Sequence, residues 1–125
     1  MKILLAVDGS KYTKKMLAYL TTHDEQISAK NDYTVLTVQA QLPARARAAL
    51  GKDIVEGYHA EEAEKVLGPV CKFLVRHNIN PKSTFKIGNA GETIAKFADA
   101  GKFDLLVMGS HGHSALGNLV MGSVA

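Results

Sequence analysis

Three glycines and a carboxylate carry the most chemistry in this chain. Gly109-x-x-Gly112 follows the apolar stretch Phe103 to Val107, and after nine intervening residues comes the pair Gly122-Ser123. Bare glycines let backbone N–H groups approach an anion closely, and a helix that starts nearby adds a partial positive charge. A strand that empties into such a loop, and then into a Gly-Ser helix start, is a place to hold phosphate. The opening run Ile3-Leu4-Leu5-Ala6-Val7 ends in Asp8-Gly9-Ser10, which sets a carboxylate at the end of another strand. The alternatives are plain ones. The glycines also suit tight turns, and Asp8 also suits a helix cap or a strand-end turn.

Other reactive side chains give weaker patterns. His111 and His113 flank Gly112, and two imidazoles near phosphate can donate hydrogen bonds or take a proton. Without a Cys or Glu nearby to complete a metal set they read as loop histidines, with His113 touching phosphate at most. Ser110, Ser114 and Ser123 have no inferable His-Asp partner, so no triad is assigned, although a loop serine could accept phosphate. Cys71 is the single cysteine. It sits beside Val70, Phe73 and Leu74, reads as a helix core thiol, and excludes an internal disulfide.

The elements that position these residues follow from periodicity. Ile3 to Val7 is a continuous apolar run suited to a parallel strand buried on both faces. Ser10 can cap a helix over about 11–29, with Met16, Leu17, Leu20 and Ile27 at helical spacing. Tyr33 to Val38, rich in β-branched residues, predicts a second strand. Ala44 to Leu50 suits a short helix, while Gly51 and Gly57 interrupt the pattern. A helix is expected over Tyr58 to His77, kinked or divided at Gly68-Pro69. Ser83 to Ile87 predicts a strand, Glu92 to Ala100 a helix, and Phe103 to Met108 a fourth strand. This alternation implies one domain, residues 1–125, with a parallel sheet and helices on both faces. Ligands in such sheets sit beyond the carboxyl ends of the strands, where the strand order reverses. If the first and fourth strands are neighbours there, Asp8 and Gly109 face one crevice.

Composition narrows the function classes. A net charge of +3 with no basic run and few interleaved aromatics gives no indication of nucleic acid binding. No apolar run approaches the ~20 residues that span a bilayer, and Asp8 interrupts the apolar start, so no membrane association is expected and the cytoplasm is the expected compartment. There is no Gly-Lys-Ser/Thr of a Walker loop and no dinucleotide fingerprint after the first strand.

With the first-strand Asp8 and the preceding fourth strand, the glycine spacing resembles the ATP-binding branch of the universal stress protein family. The resemblance rests on Ile3-Leu4-Leu5-Ala6-Val7-Asp8-Gly9-Ser10, on Thr37-Val38, and on Val107 to Gly112 continued through Gly122-Ser123-Val124-Ala125. It implies a flavodoxin-like, Rossmann-like open parallel sheet in three α/β/α layers, usually dimeric. The implied ligand is ATP with Mg²⁺ or Mn²⁺, and the implied role is a nucleotide-linked module in stress response or signalling. Asp8 would hold the ribose or the phosphate-bound metal, and the Val38 backbone would meet the adenine edge. Gly109 and Gly112 would line the ribose and phosphates, Gly122 and Ser123 would bind phosphate, and His113 stands where the family often has Arg or Lys.

The family continues beyond Gly-Ser-Val-Ala with a helix and a fifth strand, so against that pattern the chain is C-terminally shortened. The expected result is an exposed apolar edge on the fourth strand. No catalytic residue is assigned: no general base is poised for a water and no arginine finger lies in the loop, which leaves at most slow ATP hydrolysis or autophosphorylation. An ATP pyrophosphatase would want Ser-Gly-Gly-x-Asp-Ser after the first strand, and a flavin site would want aromatics to sandwich the ring. Neither is present. The alternative reading is a nucleotide-independent, dimerising interaction module of the same fold.

Overall fold

The computed structural model describes residues 2–9, 11–22, 31–114 and 117–123. Its elements are β1 (Lys2–Ala6), α1 (Lys11–Thr22), β2 (Asp32–Gln39), α2 (Ala44–Leu50), α3 (Lys52–Arg76), β3 (Lys82–Ile87), α4 (Ala90–Ala100), β4 (Leu105–Ser114) and β5 (Gly117–Ser123). Ser10, expected to cap α1, and residues 23–29, expected to extend it, lie outside the described residues.

β1 is apolar along its length because both of its faces are covered. Ile3, Leu5 and Val7 pack in one cluster with Met16 and Leu17 of α1 and Leu67, Val70 and Leu74 of α3. Leu4 and Ala6, pointing the other way along the pleat, pack with Ile94 and Ala98 of α4 and with Phe103. Two helices therefore cover one face of the sheet and α4 covers the other, giving the three layers expected of a doubly wound α/β domain.

The sheet order is β3-β2-β1-β4-β5. β1 pairs in parallel with β2 and with β4, and β2 pairs in parallel with β3. The order runs outward from β1 through β2 to β3, then returns to place β4 on the other side of β1. That is the reversal on which the Asp8–Gly109 expectation depends.

Two expectations are corrected. α3 begins at Lys52 rather than Tyr58 and is one helix through Pro69. Gly57 costs roughly 1 kcal/mol in helix propensity, but Val55, His59 and Ala63 bury their side chains on either side of it, and that burial outweighs the loss. Pro69 is exposed, so water can serve the carbonyl its missing N–H leaves free.

The second correction concerns the glycine run. It does not open into a loop and a helix start: β4 continues to Ser114, and β5 pairs with it antiparallel. Leu119-Val120-Met121 satisfies the open edge of β4 instead, so that edge is covered rather than exposed.

Candidate functional site

Asp8 lies two residues beyond the end of β1 and is exposed. Its backbone N–H donates to Thr13 Oγ1 at 3.1 Å, and the Thr13 hydroxyl donates to Asp8 Oδ1 at 3.0 Å. Thr13 is itself buried at the start of α1, so the carboxylate is oriented from a fixed point. Gly9 follows with φ +78, a left-handed conformation, and a Cβ there would stand 3.2 Å from Val66 Cγ2. Only glycine makes that turn while α3 lies so close.

Beside Asp8 opens a cleft of 360 Å³ at the carboxyl end of β2. Thr37, Val38 and Gln39 form one wall, and Tyr58, Glu62 and Val66 form the other. Those last three recur every fourth residue, so they lie along one stripe of α3. A smaller cavity of 100 Å³ shares Asp8 and Val38 and continues between Ala6, Met108 and the first turn of α4 at Ala90 and Ile94. α4 is capped by Asn89, whose Oδ1 accepts from Glu92 N at 3.1 Å, and its N-terminal partial positive charge faces this second cavity. Glu62 is engaged by Lys65, whose Nζ donates to Glu62 Oε1 at 2.9 Å. That bond holds the ammonium pKa above its ordinary value.

β4 brings Gly109 to the same end of the sheet. Ala6 pairs with Met108, so Gly109 comes next along the strand, level with Val7. Gly112 and His113 lie further up β4, short of the last pair, Ser114 with Gly117. Gly122 and Ser123 are placed elsewhere. They pair with Leu106 and Leu105, at the amino ends of the parallel strands, since Leu105 is itself level with Ile3. Four residues separate Leu105 from Gly109, about 13 Å along a strand. The structure thus groups Asp8, Val38 and Gly109, sets Gly112 and His113 beyond them on the same strand, and leaves Gly122 and Ser123 at the far end.

Sequence reasoning missed Thr13, Gln39, Tyr58 and Glu62. Thr13 left a trace in its position just inside the helix after Asp8. Tyr58 and Glu62 lie within the helix expected over Tyr58 to His77, and their four-residue spacing with Val66 was the signal that could have found them.

The family model of the universal stress protein family matches residues 1–125. The chain belongs to the universal stress protein family. Universal stress protein Slr1230 of Synechocystis sp. is 30% identical over 122 residues, which is 98% of this chain and 36% of that protein. The chain therefore spans little more than a third of that relative. Among solved structures, hypothetical protein MJ0577 superposes with a TM-score of 0.70 at 23% identity, over 94% of this chain and 81% of that one. A universal stress protein family protein of Arabidopsis thaliana, At3g01520, solved with AMP bound, superposes with a TM-score of 0.59 at 17% identity, over 92% and 80%. These likenesses establish the universal stress protein fold. No helix among the described residues is long and apolar enough to cross a membrane.

Proposed function

We propose that this universal stress protein binds an adenine nucleotide at the β1/β4 switch point and acts as a nucleotide-linked stress-response module. The observation that carries this reading is that Asp8, Val38 and Met108 line one crevice beside a 360 Å³ cleft, with Gly109 the next residue along β4. That volume falls within the roughly 300–1,000 Å³ of small-molecule sites. AMP in the Arabidopsis relative supports an adenine nucleotide as the ligand class.

In this reading the Val38 backbone meets the adenine edge, and Asp8 takes the ribose or a phosphate-bound Mg²⁺ or Mn²⁺. Gly109 and Gly112 give the phosphates close backbone approach, with His113 beside them. Gly122 and Ser123 join only if β5 leaves β4. The residues present fit a divalent ion borne by the nucleotide. Asp8 and Glu62 both face the cleft, and two carboxylates near a polyphosphate require a cation between them. No group of three or more His, Cys, Asp or Glu among the described residues forms a metal cage of its own, so phosphate oxygens would complete the ion's shell. The working state is a cytoplasmic homodimer without catalytic residues, in which any ATP hydrolysis or autophosphorylation is slow.

Calorimetric titration of ATP, with and without Mg²⁺, into the chain and its Asp8→Ala variant tests this. Saturable binding that is metal-dependent and weakened at least tenfold by the substitution supports the site. Binding indifferent to Asp8 removes that residue from it, and no binding at all favours the nucleotide-independent interaction module.

A further inference from the structure

α1 and α3 cover the same face of the sheet, and a furrow of 250 Å³ is left between them. Its α1 wall carries Leu17, and its α3 wall carries Val66, Val70 and Phe73, so the lining is mostly apolar. The space exceeds the ~150 Å³ of an apolar cavity that takes up benzene. Gly9 adds no side chain to it, and the Thr13 hydroxyl is committed to Asp8 Oδ1. The wall therefore offers no free uncharged polar side chain.

Its charges have one sign. Lys14 and Lys65 line the furrow from opposite helices, and no carboxylate lines it. Lys14 has no hydrogen-bond or ion-pair partner among the described residues. Lys65 holds Glu62 at 2.9 Å, but the two side chains are 70% and 40% exposed. An ion pair so exposed is worth little, and a second anion takes the lysine from it at small cost. Apolar surface between two ammonium groups, with no competing acid, specifies an amphipathic anion.

The α3 wall also backs onto the cleft beside Asp8. Val66 lines both spaces, and Lys65 on the furrow side holds Glu62, which lines the cleft. We propose that the furrow is a second ligand site, for a small aliphatic carboxylate, linked to that cleft through Lys65. The alkyl chain lies along Leu17, Val66, Val70 and Phe73. The carboxylate meets Lys14 and draws Lys65 from Glu62, whose charge is then uncompensated at the cleft. The site stands whether or not the cleft holds a nucleotide, because the link is read from Glu62 itself.

The test uses the full chain and three probes. These are octanoate, octylammonium with the same chain and the opposite charge, and acetate with the same head and no chain. Methyl ¹H–¹³C spectra follow Leu17, Val66 and Val70, with Ile94 on the other side of the sheet as the control. The expected result is saturable movement of the three furrow residues with octanoate and none at Ile94. Octylammonium should bind at least tenfold more weakly, acetate should move nothing, and Lys14→Gln should weaken octanoate severalfold. The Glu62 carboxyl ¹³C resonance should follow the same saturation curve, and should stay still in Lys65→Gln. No saturable movement at millimolar octanoate overturns the proposal. So does octylammonium binding as well as octanoate, or Ile94 moving with the furrow, which would make octanoate a detergent. A Glu62 resonance unmoved while the furrow saturates overturns the link to the cleft. Both lysines are exposed, so neither variant endangers the fold.

Discussion

Asp8 and Thr13 hold each other through two hydrogen bonds across the turn that leaves β1: the Thr13 hydroxyl accepts from Asp8 N and returns a hydrogen to Asp8 Oδ1. The same pair therefore serves as the turn's lock and as the aim of the carboxylate. The two roles separate in variants of Thr13. Thr13→Val keeps the shape and removes both bonds, and should lower stability by about 1–3 kcal/mol because Thr13 is buried. If Asp8 works in the nucleotide site, ATP affinity falls severalfold as well, and Thr13→Ser restores it. Urea denaturation and calorimetry read the two effects. Unchanged affinity in Thr13→Val would mean that the aimed orientation is not the one a ligand uses.

Leu4 is fully buried between the sheet and α4. Leu4→Ala should cost about 2–5 kcal/mol, measured as a lower urea midpoint with an unchanged slope. A cost below that range would mean that the α4 layer collapses onto the sheet to fill the space.

Asn89 caps α4 at the mouth of the smaller cavity. Asn89→Ala should cost about 1 kcal/mol and Asn89→Gly only a few tenths. Equal losses in the two variants would show that the side-chain bond to Glu92 N is not what holds the helix start.

Cys71, on α3, packs partly buried against the core. Burial pushes its thiol pKa up from the ordinary 9.0 and nearby Glu64 adds to the shift, while a hydrogen bond with Ser83 works against it. The folded state thus favours the protonated thiol more than the unfolded chain does. The resulting stability is complete below the ordinary thiol pKa and is lost as pH rises through the higher folded value. Iodoacetamide should modify the native protein slowly near pH 8 and the urea-unfolded protein faster. Equal rates would place the thiol in solvent.

The parts of this fold legible in the sequence were those where a single force decides. Ile3 to Val7 can be apolar throughout only if both faces are covered, so β1 and the parallel sheet followed from one run of residues and a topological rule, while the facing of Asp8 and Gly109 hung on whether β1 and β4 are neighbours, which their pairing supplies. Where two forces compete, the sequence was less informative. Gly57 and Pro69 argue locally against a helix, yet the burial of Val55, His59, Ala63 and Leu67 carries α3 through both. The glycines of 109–122 argue for a loop, yet β4 pairs antiparallel with Leu119 to Ser123 and, at Ser114, with Gly117. His59 gave no signal beyond its place on a helix, because its burial depends on the Gln39 amide, twenty residues away.

The pairing of β5 with β4 also sets a thermodynamic toll on any phosphate that is to be held by Gly122 and Ser123. Those residues cannot sit opposite Leu106 and Leu105 and reach Asp8 at the same time, so a nucleotide that is to use them must draw on the fraction of molecules in which β5 has left β4. Observed affinity falls in proportion to that fraction, about tenfold for each 1.4 kcal/mol of hairpin stability. A single substitution that weakens the hairpin at Val120, far from any ligand atom, would then tighten nucleotide binding while loosening the fold.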